Sequence, residues 1–360
     1  MKKLVIAALA IASMAACTKS NVQYEQPGEI SLQPVAQKAT KAAIATTAYP
    51  TTESFKIWAW WGAEAANAAS FATYQPYIEQ GEFVYRKDSS WGGKVPYYWP
   101  TEGSLFFAGY SPASANGQEF NYLPANKSFT VTGFIQSNNI AEQKDLLWFD
   151  ITDVSYDKKK MPEAGVPVTF KHALSWLTFK FNLKDDKTSQ NWTIKSVKLT
   201  GIEDKATFTA VKGAESATWK DWSVSETEKD KDVVNLYTGE YIVTFVANGT
   251  VLSDTDVESA DKKIKSNAVL VIPQSCAPSN GTNPADAELV ITYDLKSPTG
   301  QTLTDQKVSL PLNGTDISNN MWEPGKHYTY NITFGASEIL IAPSVAPWTE
   351  VTPAIDIPLE

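Results

Sequence analysis

The chain has 360 residues, 43% of them hydrophobic and 12% aromatic, which is enough apolar surface for two cores of ordinary size. Its formal net charge is −9, and nucleic acid is excluded as a partner because that recognition needs a positive face. Two cysteines, Cys17 and Cys276, leave no disulfide framework and no multi-thiolate metal site.

The first 17 residues, MKKLVIAALAIASMAAC, read as a lipoprotein signal peptide. Lys2 and Lys3 form a positive start, residues 4–11 an apolar run, and Ala15-Ala16-Cys17 a small-residue cleavage site. The apolar run is shorter than the roughly 20 residues that span a bilayer. Signal peptide 1–16 and a lipidated Cys17 are therefore expected, and with them export to the outer membrane or cell surface. A leader, 17–41, follows. Within it EISLQPVAQKATKAA alternates like a strand at Ile30, Leu32, Pro34 and Ala36, then reaches Lys38 and Lys41 in a run of small residues.

The body shows almost no helical periodicity, apart from a short alanine-rich stretch near 63–72. Period-two or aromatic and β-branched runs are expected to form strands at 55–61 (FKIWAWW), 81–86, 104–110, 127–136 and 145–151. In the first of these, Phe55, Ile57 and Ala59 face one side and Lys56, Trp58 and Trp60 the other. The charged run DKKKMPEAG, 157–165, carries Pro162 and reads as a domain boundary. Strands resume at 166–170, 177–183, 192–202, 205–211, 241–246, 268–272, 288–295, 307–312 and 327–334, with an acidic insertion expected at 218–231. Short strands and frequent turn residues indicate an all-β protein of two β-sandwich domains, 42–160 and 161–337. A proline-spaced tail, 338–360, alternates at Ile355, Ile357 and Leu359; it either closes its own sheet or serves a neighbouring molecule.

Chemistry is sparsely signalled. His172 and His327 both lie in strand patterns far apart in sequence, which is poor material for a catalytic triad or a zinc site. Asp254 and Asp256 lack the glycine and distal glutamate of a calcium loop. No catalytic residue, metal or cofactor is expected. The 12 tryptophans could stack against sugar rings, although packing within the sheets accounts for most of them.

Several pieces together resemble the fimbrillin family, the type V pilins of Bacteroidia. They are FKIWAWW, YYWPTEGSLFFAGYSP, VTFKHALSWLTFKF, IKSVKLTGI, VLVIPQ and MWEPGKHYTYNITF, in that order along the chain. The resemblance implies two tandem transthyretin-like β-sandwiches, no enzymatic activity, and a structural pilus (fimbrium) subunit supporting cell adhesion and biofilm. It also implies polymerisation by donor strand exchange. On this sequence, Cys17 would carry the lipid (palmitate), Ile30, Leu32, Pro34 and Ala36 would form a removable strand, and Lys38 or Lys41 would be cut by a processing protease. Val351, Ile355, Ile357 and Leu359 would form the donor strand offered to other pilin subunits. The best-studied maturation in the family cuts after arginine, whereas the sole arginine here, Arg86, lies inside the first domain. Lysine specificity, another protease and an uncut anchor form all stay open. The competing expectation is a lipid-anchored surface glycan-binding protein using exposed tryptophans.

Overall fold

The computed structural model describes residues 28–36, 49–63, 74–115, 119–123, 128–154, 165–184, 190–211, 218–223, 234–245, 250–251, 256–259, 262–265, 269–276, 287–314, 317–335 and 339–347. They form an all-β structure. In the first half lie β1 (Ser31–Ala36), β2 (Ser54–Gly62), β3 (Gln75–Tyr85), β4 (Trp91–Gly93), β5 (Ser104–Ser111), β6 (Glu119–Leu123), β7 (Ser128–Ile135) and β8 (Leu147–Val154). Then come β9 (Val166–His172), β10 (Ser175–Leu183), β11 (Asn191–Thr200), β12 (Lys205–Val211), β13 (Thr218–Ser223), β14 (Val234–Ile242) and β15 (Thr250–Val251). The remainder are β16 (Asp256–Ser259), β17 (Lys262–Lys265), β18 (Val269–Val271), β19 (Glu288–Lys296), β20 (Thr302–Pro311), β21 (Lys326–Phe334) and β22 (Ile339–Pro347).

Seven strands close on themselves in the order β1-β4-β3-β2-β5-β8-β9. The period of two in a strand explains why this barrel has apolar residues on both faces. From β2, Phe55, Ile57 and Ala59 point into the barrel, where they meet Leu105 and Phe107 of β5 and Phe149 of β8. Trp58 and Trp60 point outward with Phe106, Tyr110 and Trp148. The outward residues are covered by a second sheet, β13-β12-β7-β6, through Phe129, Val131, Phe208 and Trp219. A sheet covered on both faces reads as a nearly continuous apolar run, and all eight residues of β5 are buried.

Apart from β16 and β17, which pair only with each other, the remaining strands form a sandwich. One sheet runs β15-β10-β21-β22, with β18 also on β10; the other runs β14-β11-β19-β20. Leu177, Phe179 and Phe181 of β10 and Tyr330, Ile332 and Phe334 of β21 face Ile194, Leu199, Leu289 and Ile291 across one core. Trp322 is fully buried there and donates its indole N–H to the Tyr330 hydroxyl at 2.8 Å, which donates in turn to the Leu312 carbonyl at 2.8 Å. The Trp322 and Tyr330 polar atoms are thereby paired within the core, as burial requires.

Chain order and spatial order part company in three places. Strands on both sides of the charged run 157–165 share the barrel, since β9 pairs with β8 (Leu147↔His172, Trp148↔Lys171) and with β1. β12 returns from the second half to pair with β7, and β13 pairs with β12. Residues 218–223, expected in an exposed insertion, form β13, because Trp219 packs under the barrel and donates its indole N–H to the Ala173 carbonyl at 2.8 Å. The alanine-rich stretch lies almost wholly outside the described residues.

Candidate functional site: the slot filled by β1

β1 is a six-residue strand wedged between two partners. On one side it runs parallel to β9, with Leu32↔Val166, Gln33↔Pro167, Pro34↔Val168, Val35↔Thr169 and Ala36↔Phe170 in register. On the other it runs antiparallel to β4, through Ser31↔Gly92 and Leu32↔Trp91. Just upstream, Ile30 N–H donates to the Tyr97 carbonyl at 2.7 Å and Trp99 N–H to the Gly28 carbonyl at 3.0 Å. The Ser31 hydroxyl donates to the Trp91 carbonyl at 3.0 Å. This segment alone joins β4 to β9 and so closes the barrel.

The side chains follow the alternation read from sequence. Ile30 and Leu32 are fully buried and Pro34 is buried, while Gln33 is exposed. Ala36 lies on β1 opposite Phe170. Ile30 and Leu32 join a pocket that includes Phe55, Phe83, Trp91, Trp99, Val168 and Phe170. Tyr49 stacks on Phe170 at 5.2 Å and meets Trp91 edge-on at 5.1 Å, with its hydroxyl against the Ser111 hydroxyl at 2.5 Å. Burial of Ile30 and Leu32 contributes about 1.5–3 kcal/mol each. That is a large share of the roughly 5–15 kcal/mol that separates a folded domain from its unfolded chain.

Three residues that the sequence did not single out hold the strand. Gly165 adopts φ +94, and a Cβ there would stand 2.5 Å from the Ser31 carbonyl carbon and oxygen and 2.8 Å from the Leu32 nitrogen. Only glycine lets the β1 backbone pass this close at that φ. Gly165→Ala is expected to lower stability by about 1–3 kcal/mol, read as a shift of the urea midpoint, with the loss confined to protein that retains β1. The other two are Glu29 and Arg86, whose Oε1 and Nη2 stand 2.5 Å apart with the side chains 33% and 25% exposed. The same guanidinium donates to the Gly93 carbonyl and lies over Gly92, where any Cβ would collide with it. The clue in the sequence was the uniqueness of Arg86.

The other sequence candidates fall into two groups. Cys17, Lys38, Lys41, Val351, Ile355, Ile357 and Leu359 lie outside the described residues. The histidines, Cys276 and most of the described tryptophans are structural. His172 Nδ1 meets Asp145 Oδ2 at 2.7 Å, and Cys276 is buried, donates its thiol to the Asn320 carbonyl, and is pushed up to about 12 by burial. Nine of the 12 tryptophans are buried, and Trp222, 37% exposed, has its indole N–H committed to the Pro273 carbonyl. Among the described residues no three His, Cys, Asp or Glu side chains converge as a metal site would need, and no helix is long and apolar enough to cross a membrane.

His327 lies flat on Trp176, centroids 3.8 Å apart, with Nε2 3.0 Å from the Thr178 hydroxyl. Burial, helped by Lys180, lowers its pKa to about 4. The unfolded chain therefore takes up this proton first, and stability falls as pH drops from about 6.5 towards 4. Between pH 7 and 4.5 the wild type is expected to lose roughly 2–3 kcal/mol more than His327→Gln, measured by urea unfolding at both pH values.

These features define a class: an all-β protein whose barrel is closed by a short strand that precedes the other barrel strands in sequence. A family model described as fimbrillin-like matches residues 40–348, and the chain belongs to that family. Among solved structures it is similar to a fimbrial protein from Bacteroides vulgatus, with 19% identity over 89% of this chain and 99% of that one and a TM-score of 0.58. It is also similar to a fimbrilin from Porphyromonas gingivalis, with 10% identity over 91% and 99% of the two chains and a TM-score of 0.46. The first likeness establishes a shared overall fold. No curated protein matches the chain.

Proposed function

We propose that this protein is a structural subunit of a surface fibre that polymerises by strand exchange at the β1 slot and supports adhesion. The carrying observation is that β1 closes the barrel yet lies wholly before residue 40, where the match to the fimbrillin-like family begins. The relatives' fimbrial descriptions support the same reading. In this reading Cys17 is lipidated and holds the precursor at the outer membrane. A protease cuts after Lys38 or Lys41, and Ile30, Leu32, Pro34 and Ala36 leave with the leader. The slot between β4 and β9 then presents two unpaired strand edges and an apolar trough, a surface that recruits another strand. The tail of a second copy supplies it, with Val351, Ile355, Ile357 and Leu359 on the inward face. The two halves of the chain are then transthyretin-like sandwiches in the family's sense.

N-terminal sequencing of protein shed from the cell surface tests the processing step. A start at Ala39 or Ala42 is expected. An intact, lipidated Cys17 on all surface protein would overturn processing and leave an uncut anchor form.

A further inference from the structure

The slot carries a charge receptor as well as an apolar trough. Arg86 is fixed by elements that stay in the body, because its guanidinium donates to the Gly93 carbonyl and occupies the space that Gly92 leaves. Its carboxylate partner, Glu29, belongs to the leader. Loss of β1 would take away the carboxylate that faces this guanidinium and leave an unmatched positive charge at the mouth of the slot, which favours an incoming strand that brings a carboxylate. An incoming strand must therefore fill the pockets of Ile30 and Leu32 and also bring an acid to the position of Glu29.

The tail AIDIPLE, residues 354–360, meets both demands and also brings an apolar side chain to the position of Pro34 in one direction only. Laid parallel to β1 with Asp356 at Glu29, Ile357 at Ile30 and Leu359 at Leu32, the segment offers no residue to the position of Pro34. Laid parallel with Ile355 at Ile30 and Ile357 at Leu32, it puts Ala354 at Glu29 and leaves Arg86 unpaired. That register also sets Asp356 at Ser31, facing a carboxylate towards the Trp91 carbonyl that the Ser31 hydroxyl now satisfies. Laid in the opposite direction, Glu360 falls at Glu29, Leu359 at Ile30, Ile357 at Leu32 and Ile355 at Pro34. Asp356 then takes the place of Gln33, which is exposed. Reversal has a second advantage. The five-pair ladder of β1 with β9 is parallel, and a reversed strand would make it antiparallel, the more stable pairing per residue, while turning only the two-pair ladder with β4 parallel.

We propose that Arg86 is a carboxylate receptor that holds Glu29 in the precursor and Glu360 of a second copy in the polymer, and that it sets the incoming tail antiparallel to the direction of β1. This rests on the strand-exchange reading above. A leader and a tail that share one ionic anchor compete for it, so the slot cannot take the tail while Glu29 is in place.

The test uses full-length protein, proteolytically trimmed to begin at Ala42, with polymer growth followed by light scattering. Arg86→Glu and Glu360→Arg are each expected to slow growth at least about tenfold at low salt, and the double variant to restore it. Rising salt should narrow the difference, because a part-exposed pair is screened. Polarity is read separately by a short bis-maleimide. Arg86→Cys should link to Glu360→Cys of a neighbouring copy and not to Ala354→Cys or Asp356→Cys. A link to position 354 or 356, unchanged growth of Arg86→Glu, or failure of the charge swap to rescue would overturn the receptor. If removal of residues 352–360 left polymer growth intact, the strand-exchange reading itself would fall, which separates the two failures.

Discussion

Protein trimmed to begin at Ala42 will assemble into fibres, and the same protein lacking residues 352–360 will remain a folded monomer. The expectation follows from what β1 does. Its removal takes away the partner of β9 along five residue pairs and of β4 along two, and empties the pockets of Ile30 and Leu32. Unpaired buried backbone groups cost about 1–3 kcal/mol each, so the open barrel is driven to find a substitute strand. The tail alternates at Ile355, Ile357 and Leu359 with the period the slot accepts. Electron microscopy and size-exclusion chromatography of the two trimmed proteins read the result. Fibres from the protein without its tail would show that another segment supplies the strand.

A carboxylate placed in the slot should open it without any protease. Leu32 is fully buried among Phe55, Phe83, Trp91, Val166 and Val168. Leu32→Asp loses the apolar burial, about 2–5 kcal/mol with the cavity, and adds the cost of a desolvated carboxylate. The sum, at least about 5 kcal/mol, exceeds what the β1 ladder returns, so the strand leaves the barrel and the body stays folded. Hydrogen exchange should then show lost protection along Val166–His172, and uncut protein should polymerise at neutral pH. If Leu32→Asp simply unfolded the first barrel, β1 would be an integral strand rather than an exchangeable one. Gln33→Asp, at an exposed position on the same strand, is the control and should change neither property.

Much of the fold was legible because strand alternation is a local signal. FKIWAWW separates Phe55, Ile57 and Ala59 from Trp58 and Trp60, and the structure sends the two sets to different cores. The tail stretch 339–347, which could have closed its own sheet or served a neighbour, forms β22 along β21. Less legible were strands with polar sequences, such as QPYIEQ at the start of β3 and TLTDQK at the start of β20. Both carry exposed side chains and are held by backbone ladders that leave little trace in composition. The charged run 157–165 looked like a break between domains because charge and proline interrupt strands locally. It joins β8 to β9, two neighbours in the same barrel. The candidate site was half visible: Ile30, Leu32 and Pro34 by their spacing, but neither Gly165 nor the Glu29–Arg86 pair, since nothing near either in sequence names its partner.

The sequence by itself determined that the chain is all-β, that its first residues read as an export signal, and that a strand-like segment precedes the body. Those properties reside in neighbouring residues, through hydropathy, alternation and turn chemistry. Only the tertiary structure decided where that early strand goes, which strands flank it, and that the lone arginine holds it. Pairings such as Leu32 with Val166 and Glu29 with Arg86 join residues far apart along the chain. They depend on how a barrel closes, and no local pattern encodes closure.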